Sequence, residues 1–243
     1  MTDPDRPEPP GDASAGREAN TLQTLDRGLQ ALAVIAQQED GLSVAELANR
    51  LGVHRAITYR LVRTLESHGL VGRGAGGQFF LGAGLLGLAA RFEPQLRSIA
   101  RPMLRALAEE TQAAAFLTVP QGEECVAVMV AEPERGVLHL GYRVGSRHRL
   151  IRGAAGIAIL AGRPPRPDDP ESVREARRLG FSVTRGELQR GAVGVASPVF
   201  GAPGRLRGFE ASLGVVALDD LDIPRATAAV LARARELAAT INA

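Results

Sequence analysis

Leu22, Leu25, Leu29, Leu32 and Ile35 recur at steps of three and four residues, the spacing that lays apolar side chains along one stripe of an α-helix. Gly41 closes that segment. A second helix is predicted from Ser43, because Glu46 stands three residues on and completes a capping box ahead of the apolar run SVAELANRL. It ends at Leu51-Gly52, and a third helix, VHRAITYRLVRTLESHG, follows at once and stops at Gly69. Two helices joined by a short glycine turn form a helix-turn-helix. The next stretch, LVGRGAGGQFFLG, reads as strand, glycine loop and strand, a hairpin wing. Gly72, Gly74 and Gly77 spell GxGxxG, but Phe79-Phe80-Leu81 follow where a nucleotide-binding loop requires a helix.

Residues 84–111 are helical in pattern and interrupted at Pro102. A linker helix over GLLGLAARF is predicted, then a second helix opening at Pro102, since proline is tolerated in a first turn. Beyond it the period falls to two. AAFLTVP, CVAVMVAE and VLHLGYR read as strands, GAAGIAILAG as a small-residue helix, and ESVREARRLG as another helix after a proline-rich loop. VGVASPVF and GFEASLGVV flank a Pro203-Gly204 turn, and an amphipathic helix runs from Pro224 to Ile241. The expected fold class is α+β. The expected organisation is a disordered tail over 1–20, a winged helix-turn-helix over 21–82, a linker helix over 83–101 and a sensor-like domain over 102–243.

Composition narrows the chemistry. A chain of 243 residues with 45% hydrophobic and 23% charged residues is ordinary globular material. All 29 of its basic Lys+Arg residues are arginine, so neither a P-loop nor Schiff-base catalysis is available. One cysteine permits no internal disulfide, and the four histidines show no metal-ligand spacing. No metal and no cofactor is expected. No window reaches the length of a membrane span and no signal-like segment opens the chain, so a cytoplasmic location is expected.

On a 100° helical wheel, Ile57, Thr58, Leu61, Val62 and Leu65 of the third helix share one face. Arg55, Ala56, Tyr59, Arg60 and Arg63 take the other. From Arg50 to Arg73 the chain has five arginines and one acid, Glu66, against a net charge of only +2 for the whole. Arginine serves phosphate as a charge and guanine as a bidentate fork. Behind a capped helix, a short turn and a wing, that face is a candidate for double-stranded DNA. Arg55, Ala56, Tyr59 and Arg60 are placed to reach base edges; Arg63 and the wing's Arg73 are assigned to phosphate.

The stretch from Leu22 to Leu86 resembles the winged helix-turn-helix of the IclR family of bacterial transcription regulators. The R-L-x-x-T-L-E-x-x-G end of the third helix (Arg60 to Gly69) and the FFLG wing closure carry the likeness. AEETQ, VGSRHRL, AAGIAILAG, GFSVTRGEL and VASPVF continue it downstream. The resemblance implies a GAF-like effector-binding domain and a homodimer or homotetramer on a palindromic operator. It also implies effector contacts at Thr184, Gly194, Ala211 and Leu213. Members that bind small acids are largely polar at those four positions, whereas this chain keeps one hydroxyl. Ile157 replaces a usual lysine after Gly156, and the segment between Gly162 and Gly180 is short. A neutral, apolar effector is therefore expected, with Arg152 beside the small-residue helix as the one route to a carboxylate.

An enzyme is the weaker alternative. No GxSxG elbow is present, His139 and His148 read as a strand histidine and a solvated one, and Cys125 opens a buried strand. An effector-blind DNA binder is a further alternative. The leucine-bearing linker helix either packs on its own domain or pairs with a second copy, and pairing suits a DNA binder.

Overall fold

The computed structural model describes residues 22–91, 94–134, 141–201, 209–218 and 221–242. The chain divides into two compact units between Phe92 and Glu93. The expected tail, His139 and the Pro203-Gly204 turn lie outside the described residues, and of the strand expected over VLHLGYR the described end, Gly141 to Arg143, is not strand.

In the first unit, α1 (Gln23–Ile35), α2 (Val44–Leu51) and α3 (Arg55–Ser67) precede a hairpin of β1 (Val71–Arg73) and β2 (Phe79–Leu81), then a short α4 (Gly84–Ala90). The capping box forms as the sequence implies. The Glu46 N–H donates to Ser43 Oγ at 3.3 Å, and the Ser43 N–H donates to the Glu46 carboxylate at 2.9 Å. Hydrogen bonds from the Ser43 side chain and then its backbone hold the Glu46 carboxyl below its usual value. Gly52 ends α2 in the left-handed region, φ 63°, which frees the chain to turn within three residues into α3. Phe79 of the wing is fully buried against Ile35, Leu47 and Val62, so the hairpin is part of the helical core. Burying that ring contributes about 2–3 kcal/mol.

Only the C-terminal end of the α1 stripe, Leu32 and Ile35, faces this core. Gly28, Ala31 and Ile35 are buried, while Leu22, Leu25 and Leu29 point to solvent, Leu22 at 77% exposure. The N-terminal half of α1 thus carries an apolar stripe that this core leaves uncovered.

The second unit opens with α5 (Pro94–Thr111), continuous through Pro102. The expected break at Pro102 does not occur. Leu96, Ala100, Leu104, Leu107 and Ala108 are all buried at helical spacing, and their packing holds the helix across the proline. Pro102 itself is exposed, so the hydrogen bond it cannot donate is lost where water replaces it. Pro94, not Pro102, takes the first helical position.

Strands β3 (Ala114–Gln121), β4 (Glu124–Ala131), β5 (Arg147–Arg149), β6 (Ser182–Arg185), β7 (Ala192–Phe200) and β8 (Glu210–Leu218) form one antiparallel sheet in the order β5-β4-β3-β8-β7-β6. Helices α5 and α8 (Ile223–Asn242) close one face over Leu104, Leu117, Leu213, Val215 and Leu237. Helix α6 (Gly153–Gly162) closes the other and is buried almost all round, as its uniformly apolar sequence requires. Gly156 lets α6 lie against the Leu150 backbone, where a Cβ would come within 2.7 Å of Leu150 Cα. Ile157 packs outward from α6 against Val173 and Ala176 of α7 (Glu171–Leu179). Arg177 of α7 donates to the carbonyls of Leu160 and Ala161 at 3.2 Å and to Asp169 at 2.8 Å, satisfying the C-terminal end of α6.

Opposite Leu117 and Thr118, β4 carries a bulge at Val128: Leu117 pairs with Met129 and Thr118 with Ala127. The extra residue shifts the alternation, so Cys125 and Val130 pack on the α6 face while Met129 packs under α5 and α8.

Candidate nucleic-acid interface and buried cavity

Helix α3 is anchored from within. Thr58, Leu61, Val62 and Leu65 are buried, and His54 supplies the extended residue before the first turn. Ile57, expected with them, is 37% exposed. At 100° per residue it stands 100° from Thr58 on the side away from Val62, beyond the edge of the buried arc. Ala56, Tyr59, Arg60 and Arg63 are exposed on the opposite side, while Arg55, only about 20° from Val62 on the wheel, is exposed because it stands at the first residue of the helix. Arg63 contacts Glu66 at 3.3 Å, a solvent-exposed pair that exchanges readily for another anion. Arg73 lies 5.5 Å over the Phe79 ring, which holds the wing's cation at the hairpin's edge. For Arg55 and Arg60, no carboxylate lies within ion-pair distance among the described residues. The unit therefore presents one rigid helix face of cations, a tyrosine and a small residue.

The second unit contains a cavity of about 250 Å³ on the α6 side of the sheet. Phe116, Ala154, Leu188 and Val216 give it apolar walls; Tyr142, Arg147, His148, Thr184, Glu187 and Gln189 bring polar groups. Gly194 is in the wall as well, and a Cβ there would come within 3.3 Å of the Ala154 methyl.

Of the five residues expected at an effector, the cavity brings together Thr184 and Gly194. Ala211 and Leu213 are not in its wall. They are fully buried on the opposite face of the sheet, under α5 and α8. Strand parity decides this: side chains alternate along β8, so Val216 reaches the cavity while Ala211, Leu213 and Val215 face away. Arg152 is exposed and outside the wall; its guanidinium donates to the Glu187 carbonyl instead.

Sequence reasoning missed Glu187, Tyr142 and His148. The Glu187 carboxylate accepts from the Gly153 N–H at 2.7 Å, and Thr184 Oγ1 accepts from the Ala154 N–H at 3.0 Å. The first two donors of α6 are thereby taken. Tyr142 stacks on Phe116, centroids 5.1 Å apart, and lies 6.4 Å from the His148 ring. Its buried hydroxyl has no hydrogen-bond partner among the described residues, and burial pushes its pKa well above the usual phenol value. His148, expected in solvent, is half-buried against Cys125, whose sulfur lies 3.3 Å from Nε2. Burial pushes the Cys125 thiol up to about 12, so it stays protonated and is a poor nucleophile at neutral pH. The signal for this cluster was the aromatic-rich wall, but Phe116, Tyr142 and His148 meet only through the sheet.

Among the described residues, no group of metal-binding side chains converges, and no helix is long and apolar enough to cross a membrane.

Comparison with known proteins bears on both units. Residues 24–74 match the model of the IclR helix-turn-helix domain. The chain is 31% identical over 160 residues to the HTH-type transcriptional regulator Rv1719 of Mycobacterium tuberculosis, covering 65% of this chain and 58% of that protein. It is 29% identical over 150 residues to the regulator TtgV of Pseudomonas putida, covering 60% and 57%. The matched stretches thus span a little over half the length of these two curated relatives. Over the full fold, the structure of an IclR homologue from Microbacterium hydrocarbonoxydans, complexed with 4-hydroxybenzoate, superposes with a TM-score of 0.74. It is 20% identical, with 90% of this chain and 98% of that one covered. An IclR transcriptional regulator from Alicyclobacillus acidocaldarius superposes at 0.72, with 22% identity and coverage of 90% and 98%. Residues 24–74 thus carry an IclR-type helix-turn-helix domain, and the chain shares its fold with these solved structures.

Proposed function

We propose that the chain is a sequence-specific DNA-binding transcription regulator whose affinity for its operator is modulated by a small molecule held in the second unit. The observation that carries this is the division of α3 into a face locked in the core and an outward face of Ala56, Tyr59, Arg60 and Arg63, with Arg55 exposed at the helix start. A helix held that way enters the major groove as a rigid reader. Arg60 and Tyr59 meet base edges, and Arg63 and Arg73 meet phosphate. The cavity supports the second half of the reading, as does a family neighbour complexed with 4-hydroxybenzoate. Control requires that the ligand bind two arrangements of the protein with unequal affinity. The curated relatives are named transcriptional regulators, which favours this reading over an enzyme.

The protein acts as a homo-oligomer on a two-fold operator. Helix α4 buries none of its side chains, with Leu86 72% exposed, and the outward leucines of α1 add a second uncovered stripe. Cytoplasmic action follows from the DNA substrate.

Selection of bound fragments from the protein's own genome, followed by footprinting and titration, tests the reading. The footprint is expected to show two half-sites separated by about one helical turn or a multiple of it. Arg60→Ala is expected to cost about 1–3 kcal/mol on the selected site, while Arg73→Ala weakens selected and scrambled duplex alike. Failure to enrich any fragment over scrambled DNA, or equal losses for both variants on both duplexes, overturns the assignment.

A further inference from the structure

The N-terminus of α6 opens on the cavity wall, and its amides are the natural seat for an anion. In this chain the seat is filled from within. Glu187 places its own carboxylate on the Gly153 N–H, and Thr184 places its hydroxyl on the Ala154 N–H. Arg152 fixes the Glu187 backbone through the carbonyl, so the segment carrying that carboxylate is tied to the helix at two points. The cavity's other strong cation, Arg147, is already held by Glu124 at 3.0 Å and by Gln121 at 2.7 Å. An entering carboxylate therefore meets a like charge, and the two helix amides and the guanidinium that would hold it are already engaged. An ammonium ligand would shed its hydration for a carboxylate already engaged by the helix amide, an exchange that returns less than the desolvation costs.

The rest of the cavity describes what does fit. An apolar cavity of about 150 Å³ accommodates benzene, so this one, at about 250 Å³, has room for one substituted ring. Phe116 and Tyr142 offer an aromatic wall, and the buried Tyr142 hydroxyl awaits a hydrogen-bonding group. From this cavity geometry we infer that its ligand is an uncharged single-ring aromatic bearing one polar substituent, and that Glu187 is the residue that excludes acids. The inference rests on the reading of this cavity as the effector site and names the class of molecule that site takes.

Three probes of similar size, each with one polar substituent, separate the charges: benzamide, benzoate and benzylamine. Their dissociation constants are measured by calorimetry on the full chain at neutral pH, and the effect of each on DNA affinity is measured in parallel. In the wild type, the amide is expected to bind at least about tenfold tighter than the acid or the amine. Glu187→Gln, which keeps the size and removes the charge, is expected to close most of the gap between amide and acid. Thr184→Val, which releases the Ala154 N–H, moves the ratio in the same direction, so the inference does not depend on one variant folding. Tyr142→Phe weakens the amide and leaves the order of the three unchanged.

Equal or tighter binding of the acid or amine by the wild type overturns the inference, as does an unchanged acid-to-amide ratio in both folded variants. Absence of amide binding at millimolar concentration overturns it too. The effector reading fails separately: an amide that binds as expected but leaves DNA affinity unchanged refutes control by this cavity while the selectivity stands. An acid that binds and shifts DNA affinity does the reverse.

Discussion

The two faces of the six-stranded sheet are built from different materials. Under α5 and α8 lie large aliphatic side chains, Leu104, Leu107, Leu117, Leu213 and Leu237, each almost wholly buried. On the α6 side the buried residues are mixed in size, Ala154, Ala155, Ala158 and Ala196 beside Phe116 and Ile159, with the Thr118 and Ser212 hydroxyls paired at 2.6 Å. The first face gains its free energy from apolar area and close packing. The second gives up part of that gain and retains a cavity. One strand serves both, because alternate residues of β8 belong to opposite economies. The lesson is that stability and binding are separable here by the parity of a residue in its strand.

The largest expected effect breaks the first face. Leu213→Ala should destabilise the second unit by about 3 kcal/mol, through lost transfer energy and the void left behind. Denaturant titration reads this directly, and a loss well under 1 kcal/mol would mean that the face is not the main source of stability. A smaller stability effect with a larger binding effect is expected on the opposite face. Gly194→Val pushes two methyls toward the Ala154 contact, and should reduce binding of a cavity ligand by about tenfold or more while shifting the melting midpoint by only about 3 °C. If both readouts fall together, the two faces are energetically one.

The smallest effect concerns pH. The backbone N–H of Arg166 and then the Arg177 guanidinium hold the Asp169 carboxyl below its usual value. A carboxyl depressed in the folded state contributes its stability above the ordinary carboxylate pKa and loses it as pH falls through the lowered value. Melting midpoints followed from neutral pH into the acid range should show that loss in the wild type. Asp169→Asn should start lower and vary less over the same range. Parallel curves would remove Asp169 from the account of how α7 is held to the α6 end of the cavity domain.

What the sequence made legible follows the reach of each signal. The capping box at Ser43 and Glu46 and the outward face of α3 are set within one helical turn, and local spacing identified both. Arg60 and Tyr59 were placed correctly on the exposed side because the 100° rule needs no knowledge of the partner. Ile57 marks the limit of the wheel, since the width of a buried arc depends on what covers it. Strand readings fail differently. Ala211 and Leu213 form a coherent stripe, but no local feature says which of two covered faces that stripe meets. The break expected at Pro102 yields to a row of buried leucines whose partners come from α8 and the sheet. Glu187 was invisible because its partner, Gly153, lies 34 residues away and its role begins only when the two meet.

The bulge in β4 acts as a dislocation in an otherwise regular lattice. On either side of Val128 the same odd-even rule assigns opposite destinations. Were the strand regular through Val128, the five-residue step from Cys125 to Val130 would put them on opposite faces; the bulge absorbs one residue and keeps both under α6. A single residue thus sets the phase between the two halves of β4. A comparison with a homologous chain lacking the bulge that left out the one-residue gap at Val128 would assign every residue of the β4 N-terminal half to the wrong side of the sheet.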